Sequence, residues 1–206
     1  MEEILKYVQN QLVQIPFRLR TYAQDEQGKK YPQRNIYIKI DKYLKDFLHN
    51  PEAHDRWIII PGLRGVGKTT ILAQLFLNHY QEVEPQKMLY ISLDEVVNVL
   101  GSSLKDVLVA YEKIIGESFE KLTKPLFIFI DEAQYVPELF SYIQHYTDQR
   151  KNNGEYILTG SQNFLMFEKY LPHYPAVWTF SVRSYPATTR WKLHFYMQLY
   201  QKPRFR

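Results

Sequence analysis

Cysteine is absent from this chain of 206 residues, and the absence excludes several kinds of chemistry. Without a thiol, the protein has no disulfide, no thiol nucleophile and no cysteine-bound zinc. Long apolar runs are also missing, since no stretch approaches the roughly 20 apolar residues that a helix needs to cross a bilayer. The chain begins Met1-Glu2-Glu3, which is acidic where a secretory signal is basic. These absences predict a cytoplasmic protein that does not insert into a membrane.

Acidic residues are missing from the end of the chain. The net charge is a mild +4, but no Asp or Glu follows Glu168, whereas basic and aromatic residues recur there. Residues 172–206 therefore form a basic aromatic tail, and three interpretations of it stay open. It is a surface that binds nucleic acid through cations and stacked rings, a packed extension with solvated cations, or a truncated or frame-shifted end.

A glycine-rich segment gives the strongest functional signal. Residues 62–69 read GLRGVGKT and fit the phosphate-loop pattern G-x-x-x-x-G-K-[ST] at every fixed position, directly after the apolar residues 57–60. Because a triphosphate presents several anionic oxygens, the loop backbone must turn successive N–H groups toward it, and glycine permits this. The predicted phosphate contacts are Gly62, Leu63, Arg64, Gly65, Val66, Gly67, Lys68, Thr69 and Thr70.

Two residues of this loop have separate predicted roles. Lys68 is expected to reach the β- and γ-phosphates and so to take part in catalysis as well as binding, and the Thr69 hydroxyl is expected to ligate Mg²⁺. The helix predicted to begin near Lys68 adds the positive end of its dipole. The sequence thus predicts that the chain binds ATP together with magnesium.

A second motif predicts hydrolysis as well as binding. Residues 126–130 read LFIFI and are followed by Asp131 and Glu132, which is the form of a Walker B strand. A strand that is apolar on both faces lies inside a sheet covered by helices, so its first polar residues emerge at the carboxyl edge, beside the phosphate loop. Asp131 is expected to hold magnesium through water, and Glu132 is expected to orient and polarise the attacking water.

Strand and helix patterns alternate from residue 56 onward, as a parallel sheet with crossover helices requires. The predicted strands are 57–60, 88–92, 126–130, 156–159 and 177–182, and the predicted helices are 68–80, 104–115 and 139–146. Before this core, one helix is predicted to stop near Pro16, residues 21–34 are predicted to be a loop, and a second helix is predicted to begin at Asn35. The sequence therefore predicts an N-terminal helical extension over residues 1–55, an α/β core over 56–171 and the tail over 172–206.

On these residues the chain resembles the prokaryotic AAA-like ATPases of the archaeal-ATPase group. The resemblance covers roughly residues 34–171 and rests on the phosphate loop, on Asp-Glu-Ala-Gln at 131–134 and on Leu-Thr-Gly-Ser at 158–161. It implies a three-layer P-loop NTPase fold of the additional-strand type, with an extra strand between the phosphate-loop strand and the Walker B strand. It also implies that Thr159 or Ser161, at the end of the fourth strand, senses the γ-phosphate and contributes to catalysis.

The chain departs from the resembled family after residue 171, where relatives continue with a Gly-Arg pair, a lid region and a further domain. In that family a catalytic arginine lies after the fourth strand or on a neighbouring subunit. Arg183 and Arg190 are not preceded by glycine, so the isolated chain is expected to turn over ATP slowly. A homo-oligomer and a nucleic-acid partner both stay open.

The expected function is MgATP hydrolysis that drives a conformational change of an unknown client. Two alternatives stay open, which are a nucleotide-gated binding module with little hydrolysis and a DNA-associated ATPase. A GTPase is disfavoured because the chain has no Asn-Lys-x-Asp motif. A small-molecule kinase is disfavoured because its nucleophile is a substrate hydroxyl, which does not require Glu132 beside Asp131.

Overall fold

Five parallel strands form one sheet. The computed structural model describes residues 1–50, 57–136, 139, 154–160 and 177–179. The strands are β1 (Trp57–Pro61), β2 (Met88–Ser92), β3 (Leu126–Asp131), β4 (Gly154–Gly160) and β5 (Val177–Thr179). Their order is β2-β3-β4-β1-β5, and β4 pairs in parallel with both β1 and β3. This order confirms the predicted extra strand between the phosphate-loop strand and the Walker B strand.

Helices cover both faces of the sheet and complete a three-layer α/β fold. They are α1 (Glu2–Ala23), α2 (Asn35–His49), α3 (Lys68–His79) and α4 (Leu104–Ile115). On one face, Ile128 and Ile130 of β3 pack with the apolar side of α4. On the other face, Phe127 and Phe129 pack with α2 and α3. Because β3 is buried on both faces, its first polar side chains lie at the carboxyl edge of the sheet.

The predicted elements agree closely with the structure where it describes them. The bounds of β2 and α4 are as predicted, and β1, β3 and β4 each extend beyond the predicted run. Residues 177–179 of the predicted strand 177–182 form β5, and the other three lie outside the described residues. Of the predicted helix 139–146, only Leu139 is described, and it is helical and buried.

The first helix differs from the prediction, because α1 does not stop near Pro16. It continues through the proline to Ala23, so residues 21–23 also belong to the helix and not to the predicted loop. An interior proline costs a helix about 3 kcal/mol, but burial of one large apolar side chain gives about 1.5–3 kcal/mol. Ile15 and Leu19 are each 1% exposed. Their burial on either side of Pro16 offsets the lost hydrogen bond.

The path of α1 protects one edge of the sheet. Val8 belongs to the apolar cluster on the α4 face, whereas Ile15 and Leu19 belong to the cluster on the α2 and α3 face. The helix therefore crosses from one face to the other past β2, which is an edge strand. A helix packed against an edge strand shields it from pairing with another chain. Within the described residues, no helix has the length and apolar character needed to span a membrane.

Candidate nucleotide-binding site

The phosphate loop connects β1 to α3 at the carboxyl edge of the sheet. Gly65 has φ +79° and Gly67 has φ +86°, in the left-handed region that favours glycine. Val66 between them is buried and anchors the loop to the core, while Leu63 and Arg64 are exposed. Thr69 and Thr70 lie in the first turn of α3. The loop therefore combines a helix N-terminus with the turned glycine backbone that an anion requires.

Lys68 lies over this loop with its ammonium group largely out of solvent. The residue is 6% exposed, and its Nζ donates to the carbonyl oxygens of Gly62, at 3.0 Å, and Leu63, at 2.9 Å. Burial lowers the pKa of Lys68, whereas the carboxylates of Glu132 and Asp131 act in the opposite direction. Both hydrogen-bond partners are neutral carbonyls, and a phosphate oxygen offers the ammonium an oppositely charged acceptor and so a stronger bond. The lysine is thus placed to exchange loop carbonyls for an anion.

Asp131 is the centre of a buried hydrogen-bond cluster. The residue is 4% exposed. Its Oδ2 accepts from Thr69 Oγ1 at 2.7 Å and from the Tyr90 hydroxyl at 3.1 Å. Its Oδ1 accepts from Thr159 Oγ1 and from the backbone N–H of Glu132 at 2.9 Å. An ionised carboxylate has an acceptor position for each of these four donors. The cluster brings the phosphate loop and the strands β2, β3 and β4 to one point.

Glu132 follows Asp131 in an unusual backbone conformation. Its φ of +54° is the only positive φ of a residue other than glycine in the described part of the chain. Its Oε2 accepts a hydrogen bond from Gln134 Nε2. Such a conformation costs about 1–3 kcal/mol and is found most often where a side chain has a function. The strained backbone and the bond from Gln134 set the position of the predicted catalytic carboxylate.

The oxygen groups around Asp131 are of the kind that Mg²⁺ binds. Mg²⁺ prefers oxygen ligands and usually takes one or two from the protein and the rest from water and phosphate. The Thr69 hydroxyl is the predicted direct ligand, and the Asp131 carboxylate, which accepts its hydrogen bond, is the predicted group that holds the ion through water. Thr69 donates its only hydroxyl hydrogen to Asp131, so its lone pairs stay free for a cation. The residues present therefore fit the predicted metal.

The structure brings together all the site residues that the sequence predicted within the described part of the chain. Thr159 is fully buried, and its hydroxyl donates a hydrogen bond to Asp131 Oδ1. The alternative residue Ser161 lies outside the described residues.

Tyr90 belongs to this site, although the sequence identified it only as part of a strand. Burial, and secondarily the Asp131 carboxylate, raise the pKa of Tyr90 well above its usual range. Tyr90 pairs with Phe129, and Ser92 pairs with Asp131. Tyr90 is two residues before Ser92, the last residue of β2, so the two side chains lie on the same face of the strand. The alternation of side chains along β2 would have placed Tyr90 on the same sheet face as Asp131, but only if the pairing register of β2 with β3 had been known.

Arg34 is a second residue that the sequence did not identify. Its guanidinium donates from Nη1 to the carbonyl oxygen of Val66. A Cβ atom added to Gly67 would lie 3.2 Å from Arg34 Nη2, so the arginine packs against the loop itself. Arg34 precedes α2 and is 32 residues away from Val66. No local pattern in the sequence connects it with the loop.

Comparison with known proteins agrees with this geometry. Residues 54–184 match the family described as AAA domain. An uncharacterized protein of Methanocaldococcus jannaschii is 30% identical over 135 residues, which are 66% of this chain and 26% of that protein. The chain thus spans about a quarter of that curated relative.

Two solved structures share the fold. The structure of C. elegans PCH-2 has a TM-score of 0.52 at 16% identity, covering 82% of this chain and 48% of its own. The structure of Drosophila ORC bound to DNA has a TM-score of 0.51 at 11% identity, covering 82% and 47%. At these identities the likeness concerns the fold alone. Since the family match spans more than half of the sequence, the chain belongs to the AAA domain family, the AAA-like P-loop ATPases.

Proposed function

We propose that this chain is a cytoplasmic ATPase that binds MgATP and hydrolyses the β–γ phosphoanhydride bond. The observation that carries the proposal is the 2.7 Å hydrogen bond from Thr69 Oγ1 to Asp131 Oδ2. It joins the predicted phosphate contacts to the predicted Walker B carboxylate, so both motifs serve one site. A triphosphate on the loop would lie beside the groups that hold its metal.

Each residue of this site is assigned a role in binding or in chemistry, and Lys68 is assigned both. The loop N–H groups and Lys68 would hold the triphosphate, and Thr69 and Asp131 would hold magnesium, Asp131 through water. When bound, magnesium neutralises charge that develops on the phosphate oxygens. Glu132 accepts a proton from the water that attacks the γ-phosphorus, and the products are ADP and phosphate. Thr159 senses the γ-phosphate from the end of β4.

Turnover by the isolated chain is proposed to be slow, about one per minute or less, as in P-loop proteins without a catalytic arginine. The sequence after Thr159 has no Gly-Arg pair that would supply one. The matched region is about a quarter of the much longer curated relative. We therefore assign no client, partner subunit or nucleic acid to this chain.

The test separates binding from hydrolysis with two substitutions. Lys68→Ala is expected to abolish ATP binding measured by calorimetry while the fold persists, because its Nζ contacts the loop and not the apolar core. Glu132→Gln is expected to keep MgATP binding but to lower phosphate release by 100-fold or more, roughly the contribution of a general base. Lys105→Ala, which removes an exposed lysine from α4, is the matched control.

Two results would contradict the proposal. Unchanged ATP affinity in folded Lys68→Ala would show that the loop is not the nucleotide site. Phosphate release at the wild-type rate by Glu132→Gln would show that another group activates the water. If the wild-type chain binds ATP but releases no phosphate, the chain is a nucleotide-gated binding module. A rate that rises on addition of duplex DNA supports the DNA-associated alternative.

A further inference from the structure

Tyr90 lies on a strand distant from the phosphate loop, yet its hydroxyl contacts Asp131, a predicted magnesium-binding residue. β2 is separated from β1 and the phosphate loop by β3 and β4. The Tyr90 hydroxyl nevertheless donates to Asp131 Oδ2 at 3.1 Å, and the residue is only 7% exposed. Tyr90 pairs with Phe129, two residues before Asp131, so both side chains leave the same face of the sheet. The contact is therefore a fixed consequence of the strand register.

The hydroxyl shares its acceptor atom with a predicted magnesium ligand. Oδ2 of Asp131 accepts from both Tyr90 and Thr69, whereas Oδ1 accepts from Thr159 and from the backbone of Glu132. A carboxylate turns about a single bond, and each donor to its oxygens adds to the restraint on that rotation. Without Tyr90, the bond from Thr69 would be the one left on Oδ2 among the described residues. Tyr90 is thus the donor that restrains this oxygen independently of the phosphate loop.

We propose that Tyr90 is a positioning residue for magnesium, holding the Asp131 carboxylate in the orientation that Mg²⁺ bound with ATP requires. This inference rests on the proposed function. Loss of a hydrogen-bond partner behind a metal-binding group typically lowers metal affinity by about 10- to 100-fold. Tyr90 acts through Asp131 and does not itself contact the substrate. Its removal therefore changes the magnesium requirement and not the affinity of the loop for the triphosphate.

The test measures ATP affinity by calorimetry as a function of Mg²⁺ concentration, from chelator alone to saturation. Tyr90→Phe keeps the ring that packs in the apolar cluster and removes only the hydroxyl. We expect its ATP affinity in chelator to equal that of the wild type. For Tyr90→Phe, the Mg²⁺ concentration at which ATP affinity is halfway between its values in chelator and at saturating Mg²⁺ should rise by about 10-fold or more. An unchanged or lower Mg²⁺ requirement would overturn the inference.

Tyr111→Phe is the matched control. Tyr111 is fully buried and donates to the carbonyl oxygen of Gln86 at 2.7 Å, at the opposite end of β2 from Asp131. Its loss costs the fold a hydrogen bond and is expected to leave the Mg²⁺ requirement unchanged. A thermal unfolding curve for both variants separates stability from metal binding. If Tyr90→Phe lowers only the melting temperature, its role is structural and the inference is wrong.

A double-mutant cycle tests whether Tyr90 acts through Asp131. In an Asp131→Asn background, Tyr90→Phe should add no further change in Mg²⁺ requirement. An equal change in both backgrounds would overturn the inference, since Tyr90 would then act independently of the carboxylate. If the wild-type chain binds no ATP, the proposed function fails first and the inference fails with it. If the wild type binds MgATP but Tyr90→Phe behaves identically, only the inference fails.

Discussion

At the scale of single residues, His79 is a buried titratable group at the last position of α3. It has no solvent exposure, its Nε2 lies 3.0 Å from Asp41 Oδ1, and its Nδ1 lies 3.3 Å from Glu82 Oε2. Burial lowers the pKa of His79, although both carboxylates act to raise it. Asp41 also accepts from Lys45 and Asn78, which offsets its charge. In the folded protein, burial therefore disfavours the charged form of this histidine.

The lowered pKa of His79 predicts that the fold is less stable in mild acid. The unfolded chain takes up a proton near the ordinary histidine pKa of 6.5, but the folded chain resists protonation. Its contribution to stability is thus complete above pH 6.5 and is lost as the pH falls below that value. His79→Gln, which keeps a donor for Asp41, should make the melting temperature less sensitive to acidification from about pH 7.5 to about pH 5.5. His49→Gln, at an exposed histidine of α2, is the control. Equal slopes for wild type and His79→Gln would contradict the assignment.

At the scale of elements, α4 is defined at both ends by local chemistry. Ser103 Oγ accepts from the backbone N–H of Asp106 at 3.1 Å, and the Asp106 carboxylate accepts in return from the Ser103 backbone N–H at 3.3 Å. The hydrogen bonds from Ser103 lower the pKa of Asp106. Gly116 ends the helix with φ +70°. The sequence prediction of α4 rested on the spacing of its apolar residues, and the capping box and the glycine are the physical reason why the helix begins and ends at those bounds.

Ser103→Ala is expected to lower the free energy of unfolding by about 1 kcal/mol, the usual value of an N-cap hydroxyl. Urea denaturation followed by circular dichroism measures the change. Ser102→Ala is the matched control, because the neighbouring hydroxyl donates only to the Leu100 carbonyl, at 3.3 Å, and caps no helix. A loss for Ser103→Ala no larger than that for Ser102→Ala would show that α4 is held by packing alone.

At the scale of the whole molecule, α1 connects the apolar clusters on the two faces of the sheet. Val8 is buried in one cluster and Leu19 in the other. The sequence predicts residues 1–55 as an extension to the core, and that boundary stays a prediction. In the structure, however, the side chains of α1 contribute to the same clusters as the strands. The energetic share of α1 in the core can therefore be measured.

Leu19→Ala is expected to lower the free energy of unfolding by about 2–5 kcal/mol, as for other buried leucines. Leu19 is 1% exposed, whereas Val13 on the same helix is 68% exposed. Val13→Ala should therefore change stability by less than about 0.5 kcal/mol. Guanidinium denaturation of both variants gives the comparison. If Leu19→Ala is as neutral as Val13→Ala, α1 is a detachable extension and not part of the core.

The sequence by itself determined the parts of this protein that depend on neighbouring residues. The phosphate loop at residues 62–69 is one continuous motif, and the apolar run before Asp131 required a buried strand. The bounds of β2 followed from a short apolar run, and those of α4 from the spacing of its apolar residues. Such signals come from neighbouring residues, so they can be recognised without knowledge of the fold.

Only the tertiary structure decided which distant residues meet. The Tyr90 contact with Asp131 depends on the pairing of β2 with β3, and a shift of one residue would turn the tyrosine to the other face. Arg34 meets Val66 because Val66 packs in the same apolar cluster as α2, which Arg34 precedes. The helix α1 passes Pro16 because burial of Ile15 and Leu19 outweighs the local cost of proline. In each case the deciding free energy comes from contacts far apart in sequence, which no local pattern records.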